Sequence, residues 1–172
     1  MGVVPGGPSL HWLGWALGAC HSAPRSVQTL ESDVMLAAPL DEVFAFFAEA
    51  ENLERITPPW LNFTILTALP IEIREGTEID YRIRLHGVPI PWRSRIDEWV
   101  PGVSFVDRQL LGPYRWWRHE HRFEHLSGGT RVIDRVEYAA RAGWGSNWLV
   151  RRELERIFSY RREAMRTIFS RA

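Results

Sequence analysis

The chain has 172 residues, of which 45% are hydrophobic, and a single cysteine, Cys20. This length suits one globular domain that can bury a sizeable core without disulfides, and one cysteine excludes both an intrachain disulfide framework and a cysteine-rich metal site. The formal net charge is zero, with 21 basic residues, all arginine, against 21 acidic ones. No overall basic field therefore favours nucleic-acid binding.

The N-terminal segment, residues 1–25, is predicted to be a disordered extension that precedes one domain at residues 26–172. The short apolar run Trp12–Ala19 overlaps Leu17–Cys20, which resembles a bacterial lipoprotein cleavage box. A secretory signal needs positive charge before its apolar core, whereas here the first basic residue, Arg25, follows that core. We therefore expect a disordered extension or an upstream start codon in a cytoplasmic protein, with lipidation as the alternative.

The first part of the domain is predicted to contain one strand, two short helices and a second strand. The strand spans Leu30–Ala37, and the helices span Leu40–Ala50 and Asn52–Ile56. The successive prolines Pro58 and Pro59 end the second helix, because proline cannot donate a backbone hydrogen bond and restricts the residue before it. The second strand is predicted at Asn62–Leu69.

Residues 77–141 alternate between apolar and polar side chains with a period of two, which is typical of half-buried strands. Ile79, Tyr81, Ile83 and Leu85, for example, alternate with charged residues. Turn residues divide this region into five predicted antiparallel strands: Ile79–Leu85, Pro91–Trp99, Val103–Leu111, Arg115–Leu126 and Thr130–Ala140.

The last segment, Ser146–Phe169, has apolar residues at three- and four-residue steps and is predicted to form one amphipathic helix with Ser146 as its N-cap. A long helix that closes a run of antiparallel strands needs a curved sheet to lie across. Such a sheet leaves a hollow beneath the helix. The predicted fold class is therefore α+β, with seven strands, two short helices between the first two strands, and a long C-terminal helix.

Several short motifs resemble the SRPBCC superfamily, which includes the START, Bet v 1-like and polyketide cyclase/dehydrase proteins. The likeness runs from about Leu30 to Ser170 and is carried by Asn52–Trp60, Gly112–Tyr114, the alternating Trp117, His119, His121 and Phe123, and the alternating Asp134, Val136 and Tyr138. The resemblance implies a helix-grip architecture and is greatest to small bacterial ligand-binding domains. Its members include binding proteins and enzymes, so fold analogy does not by itself assign an activity.

The direction of the side chains in the hollow follows from the strand pattern. In Arg115–Leu126 the even positions are charged and must face water, so the odd positions face the helix. A Gly128-Gly129 turn would place Phe123 opposite Asp134 and His121 on the diagonal. The residues predicted to line the hollow are Tyr81, Ile83, Trp92, Ile96, Phe105, Asp107, Gln109, Trp117, His119, His121, Phe123, Asp134, Tyr138, Leu154 and Phe158.

The polar members of this set allow structural and functional interpretations. His121 and Asp134 can form a buried hydrogen-bonded pair, contact a ligand, or act with His119 as catalytic candidates. His119 and His121 share a face and would need Asp107 or Asp134 as a third metal ligand. We predict no metal and no cofactor, and His125 is expected to be exposed.

Three functional hypotheses follow. The first is a carrier or sensor that holds a small hydrophobic molecule, gated by the loop around Pro58–Trp60 or by Pro89–Pro91. The second is a cyclase/dehydrase-type enzyme, in which His119 or His121 moves a proton and Asp134 orients it. The third is an interaction module that uses Arg161 and Arg162 of the last helix. We expect a monomer or weak homodimer, with no nucleic-acid partner and no membrane-spanning segment.

Overall fold

The computed structural model describes residues 27–85, 87–141 and 147–170. Three α-helices are present there: α1 (Leu40–Ala48), α2 (Asn52–Arg55) and α3 (Asn147–Phe169). The strands are β1 (Gln28–Leu36), β2 (Thr64–Ile65), β3 (Glu78–Leu85), β4 (Val88–Val100), β5 (Ser104–Leu111), β6 (Tyr114–Leu126) and β7 (Gly129–Ala140). The predictions for residues 1–25 and for the Ser146 cap lie outside the described residues.

The seven strands form one curved antiparallel sheet in the order β1-β7-β6-β5-β4-β3-β2. The return of β7 to β1 places the first and last strands side by side, with Leu30 opposite Val136. The helix α3 lies across the concave face of this sheet, and α1 and α2 follow β1 as the sequence predicts. This arrangement confirms the predicted α+β helix-grip architecture.

The interior contains two hydrophobic clusters at opposite ends of α3. One gathers around α1 and the C-terminal end of α3, where Phe123 contacts Phe44 edge-on and Met165 is fully buried. The other gathers around the first half of α3, where Leu154 and Phe158 pack with Trp92 and Trp117. Both clusters bury the apolar stripe of α3, which is the burial expected to stabilise an amphipathic helix.

A short 3-10 helix, Pro59–Leu61, was not predicted. Its Trp60 ring lies 5.5 Å from the ring of Tyr160, and the Arg156 guanidinium lies 4.2 Å from the Trp60 centroid. These aromatic and cation–π contacts attach the helical insert to α3. Pro58 is fully buried beside them.

The second strand is much shorter than predicted. Only Thr64–Ile65 pairs with β3, because Leu66 and Thr67 both donate their amides to the carbonyl of Asp80. The Thr67 hydroxyl also accepts the amide of Asp80, which ends the regular ladder. The apolar residues from Leu66 to Leu69 therefore lie outside the sheet.

Several other predicted bounds need correction. The helices end two residues and one residue early, at Ala48 and Arg55. Pro89–Pro91 does not form a gate loop, because these residues lie inside β4 and pair with β3. The described residues contain no helix with both the length and the apolar character needed to cross a membrane.

Candidate functional site

A cavity of about 1180 Å³ separates α3 from the concave face of the sheet. Its wall is mainly apolar, because β3 turns Ile79, Tyr81, Ile83 and Leu85 inward, as the alternation predicts. From the opposite side, Leu154 and Phe158 of α3 face the same space. The cavity arises because a curved sheet and a straight helix meet along only part of their length.

A layer of polar side chains crosses the interior between the two hydrophobic clusters. On β6 this layer consists of His119 and His121, which lie between Trp117 of one cluster and Phe123 of the other. The neighbouring elements contribute Asp107, Asp134 and Arg161. We call these five residues the polar layer: Asp107, His119, His121, Asp134 and Arg161.

Asp134 occupies the side of the polar layer away from the cavity. Its Oδ1 lies 3.0 Å from Nε2 of His119 and 2.8 Å from Nδ1 of His121. The first contact is a hydrogen bond, whereas Nδ1 of His121 has no hydrogen-bond partner among the residues that the structure describes. The Oδ2 atom of Asp134 lies 3.6 Å from Nε of Arg161.

Asp107 lies on the cavity side of the same imidazoles. Its Oδ2 is 3.3 Å from Nε2 of His121 and 3.5 Å from Nδ1 of His119. Its Oδ1 accepts a hydrogen bond from the Ser94 hydroxyl at 3.3 Å, and Ser94 also accepts the indole N–H of Trp92. Each imidazole is therefore placed between two carboxylates, one behind it and one at the cavity.

Aromatic rings hold both imidazoles in place. The ring of His121 stacks on Phe105 with the centroids 4.1 Å apart, and the tilted ring of Phe47 of α1 lies 5.9 Å away. The ring of His119 meets Phe158 edge-on at 5.4 Å. Packing on both sides restricts the rotation of the rings, so the directions of their nitrogen lone pairs are fixed by the fold.

The environment moves the pKa values of these groups in different directions. Burial lowers the pKa of His119, and the neighbouring charge of His121 adds to this. Burial opposes protonation of His121 too, but hydrogen bonding to Asp107 and the negative charge of Asp134 prevail and raise its pKa. Burial would raise the pKa of Asp134, but the charge of Arg161 and the two imidazoles hold it well below its usual range. Burial would also raise the pKa of Asp107, but the two imidazoles and the charge of Arg161 lower it.

These shifts predict opposite pH effects for the two histidines. The folded-state pKa of His119 lies below 6.5, the ordinary value that applies in the unfolded chain. The contribution of His119 to stability is therefore present above pH 6.5 and is lost on acidification. The folded-state pKa of His121 is raised, so its contribution is present below 6.5 and is lost as the pH rises through the folded value.

Urea denaturation between about pH 5 and about pH 8, with a chelator present, tests this prediction. Relative to wild type, His119→Gln should gain stability on acidification and His121→Gln should lose it. The exposed His125 provides the control, His125→Gln. Parallel curves for the two buried-site variants would contradict the assignment.

The structure brings most of the predicted pocket residues to one surface. The residues that line the cavity are Tyr81, Ile83, Trp92, Ile96, Phe105, Asp107, Trp117, His119, His121, Leu154 and Phe158. His125 is exposed, as predicted. These positions follow from the period-two and period-3.6 patterns.

Four predicted pocket residues lie elsewhere. Phe123 and Tyr138 belong to the hydrophobic clusters, and Asp134 lies behind the histidines. Gln109 uses its side-chain amide to donate to the Tyr114 carbonyl and accept the Tyr114 amide, which closes the β5–β6 turn. The side chain of Gln109 is therefore a turn element and not part of the cavity wall.

The predicted register between β6 and β7 was wrong by two residues. His121, not Phe123, is directly opposite Asp134, and Phe123 is opposite Val132. The two-residue turn is formed by Ser127 and Gly128, because Leu126 already pairs with Gly129. This shift brings both histidines into contact with the buried carboxylate.

Arg161 lines the cavity, although the sequence assigned it only to an interaction surface. An amphipathic helix is expected to turn its charged residues to water, but Arg161 is only 8% exposed. A sequence signal existed, because Arg161 follows Leu154 and Phe158 and precedes Met165 at helical spacing on the apolar stripe. Arg162, the other residue of the interaction-module hypothesis, donates to the Ser32 hydroxyl.

The sheet, the gripping helix and the cavity between them define a helix-grip protein. The family described as polyketide cyclase/dehydrase and lipid transport matches residues 36–166. The chain belongs to this family, which confirms the resemblance to the SRPBCC superfamily. No curated protein matches the chain.

Solved structures with the same fold share little sequence with this chain. The Zhui aromatase/cyclase from Streptomyces sp. R1128 is 22% identical with a TM-score of 0.65, over 85% of this chain and 95% of that one. Ara h 8.0201 is 13% identical with a TM-score of 0.62, over 86% and 100% of the chains. The di-domain ARO/CYC StfQ from the steffimycin biosynthetic pathway is 16% identical with a TM-score of 0.65, and 84% of this chain aligns with 51% of it. These likenesses concern the fold.

Proposed function

We propose that this protein binds a small hydrophobic or aromatic molecule carrying one or two polar groups, as a carrier or sensor. The observation that carries the proposal is the cavity of about 1180 Å³. Ligand sites in proteins commonly enclose about 300–1000 Å³, with apolar walls and a few convergent polar groups. A cavity above that range suits a ligand of several fused or linked rings.

The position of the polar groups supports a defined orientation of this ligand. Asp107, His119 and His121 meet at one part of the wall, whereas β3 presents apolar side chains. A ligand would direct its polar end toward the imidazoles and its apolar body toward β3. The family assignment supports the same interpretation.

Filling the cavity should abolish binding without unfolding the protein. Ile83 lines the cavity and is only half-buried, so Ile83→Trp places an indole in open space. We expect the affinity for 8-anilinonaphthalene-1-sulfonate, measured by fluorescence titration, to fall about tenfold or more, which corresponds to about 1.4 kcal/mol.

The matched control is Ile133→Trp. Ile133 is also half-buried, but it alternates with the inward Val132 and Asp134 and so faces the other side of the sheet. Its affinity for the probe should equal that of wild type. Equal losses in the two variants, or a wild-type protein that does not bind the probe, would refute the proposed cavity function.

A second candidate function is proton-transfer catalysis of the cyclase/dehydrase kind. The observation that favours it is His119, whose pKa is lowered by burial so that the neutral base faces the cavity at physiological pH. The similarity to the two aromatase/cyclase structures concerns only the fold. Turnover that survives both His119→Gln and His121→Gln would remove this candidate.

A further inference from the structure

The polar layer has the arrangement of a metal site built from two imidazoles and one carboxylate. One ligand atom from each of Asp107, His119 and His121 lies within 4.8 Å of the others. All three residues line the cavity, and the two histidines are buried. We propose that these three residues bind a divalent transition-metal ion, such as Zn²⁺, with an open coordination position toward the cavity.

The distances match a tetrahedral site. Metal–nitrogen bonds of about 2.0–2.1 Å place the ligand atoms of a tetrahedral zinc about 3.3–3.4 Å apart. Oδ2 of Asp107 lies 3.3 Å from Nε2 of His121 and 3.5 Å from Nδ1 of His119. Two edges of the tetrahedron are therefore already close to their bonded length.

The nitrogen that each histidine directs away from Asp107 approaches Asp134. Nε2 of His119 is 3.0 Å and Nδ1 of His121 is 2.8 Å from the same Oδ1 atom. Metal-bound histidines almost always give their other ring N–H to a carboxylate or carbonyl, which orients the ring and makes it a better ligand. Asp134 is this supporting carboxylate for His119, whose Nε2 is hydrogen-bonded to it.

Asp107 is supported in a similar manner. Its Oδ1 accepts the hydroxyl of Ser94 at 3.3 Å, and Oδ2 remains directed at the two imidazoles. This division suits a carboxylate that coordinates through one oxygen. Ser94 is itself held by the indole N–H of Trp92 at 3.1 Å and by its contact with the Tyr81 hydroxyl at 3.2 Å.

The proton positions leave a place for a cation. An ionised Asp134 can only accept, so His119 carries its proton on Nε2 and directs the Nδ1 lone pair toward the oxygen of Asp107. Two acceptors 3.5 Å apart repel each other unless a proton or a metal ion lies between them. A cation bound there would be attracted to both.

The charge balance is also favourable. Metal binding requires both imidazoles to be neutral. Asp107 and Asp134 then carry two negative charges, and Arg161, 3.6 Å from Asp134, compensates one of them. The buried layer then keeps one net negative charge, which a divalent cation over-compensates by only one unit. Arg161 forms its ion pair with Asp134. Oδ2 of Asp107 therefore remains available to the metal ion.

The proposal is independent of any hydrophobic ligand, so it is tested with metal alone. The untagged 172-residue chain is stripped with a chelator, dialysed and titrated with Co²⁺ and Zn²⁺ at micromolar protein concentration. We expect one metal ion per chain by elemental analysis, visible d–d absorption from bound Co²⁺, and displacement of that signal by Zn²⁺.

Variants identify the ligands. His119→Ala and Asp107→Ala should each weaken Co²⁺ binding at least about tenfold, and Asp134→Asn, which removes no ligand, should weaken it about 10- to 100-fold. The control on the same strand is His125→Ala. A second control, the combined His11→Ala, Cys20→Ser and His21→Ala variant, removes metal-binding groups from residues 1–25. Both controls should bind as wild type does.

The outcomes separate this inference from the proposed function. Folded wild-type protein that takes up no Co²⁺ or Zn²⁺ would overturn the metal site even if no variant folds, as would uptake unaffected by His119→Ala or lost in the combined control. Fluorescent-probe binding by the metal-free protein continues to test the cavity separately.

Discussion

Replacing Asp134 with alanine is expected to lower the free energy of unfolding by about 3–5 kcal/mol, because it leaves a buried guanidinium without its counter-charge. Asp134 is 2% exposed and Arg161 is 8% exposed. The same change removes the hydrogen-bond acceptor of His119 Nε2. Urea denaturation at neutral pH, with circular dichroism as the signal, measures the loss.

The control for Asp134 is an exposed carboxylate on the neighbouring strand. Asp33 accepts from Nε of Arg131 at 3.0 Å, and both side chains are more than 40% exposed. Asp33→Ala should cost no more than about 1 kcal/mol. In a double-mutant cycle, Asp134→Ala with Arg161→Met should recover part of the loss, because no unpaired charge is left behind. A loss as small as that of Asp33→Ala would refute the role of Asp134 as the counter-charge.

Trp117→Ala is the second large effect, with an expected loss of about 3–5 kcal/mol. The ring of Trp117 contacts Trp92 edge-on at 5.2 Å and Tyr114 at 4.8 Å, within the cluster that contains Leu154 and Phe158. Its removal merges an empty volume with the existing cavity, and the surrounding strands cannot close the gap because they are fixed in the sheet. Thermal and urea denaturation measure the loss.

The same variant should weaken the binding of an apolar fluorescent probe, since Trp117 lines the cavity. Trp148→Ala provides the control: Trp148 is 61% exposed and contacts Arg152 through its ring. We expect it to cost about 1 kcal/mol or less and to leave probe binding unchanged. If Trp117→Ala lowered the free energy of unfolding no more than Trp148→Ala does, the cavity wall around Trp92 would not be tightly packed.

The face of the sheet to which each side chain points was predictable, because it depends only on the alternation of neighbouring residues along a strand. Successive side chains in a strand point to opposite faces, so the charged Arg118, Glu120, Arg122 and Glu124 placed the odd positions of β6 toward α3. The structure confirms this: Trp117, His119 and His121 face the cavity, and Arg118 pairs with Glu98 and Glu120 on the other face.

Register was less predictable, because it depends on which residues form the turn. Two candidate turns, Ser127-Gly128 and Gly128-Gly129, both fit a hairpin, and only the pairing of Leu126 with Gly129 distinguishes them. The difference decided whether Phe123 or His121 faces Asp134. A change of one turn residue thus altered the chemistry assigned to the site.

The sequence by itself determined the α+β class, the inward face of each long strand and the apolar stripe of α3, since these follow from local periodicities of 2 and 3.6 residues. Only the tertiary structure decided that Arg161 of α3 meets the predicted polar residues, with Asp134 behind the two histidines and Asp107 on their cavity side. That meeting depends on the curvature of the sheet and the placement of the helix across it. Both are set by packing between elements distant in sequence, and no local pattern encodes them.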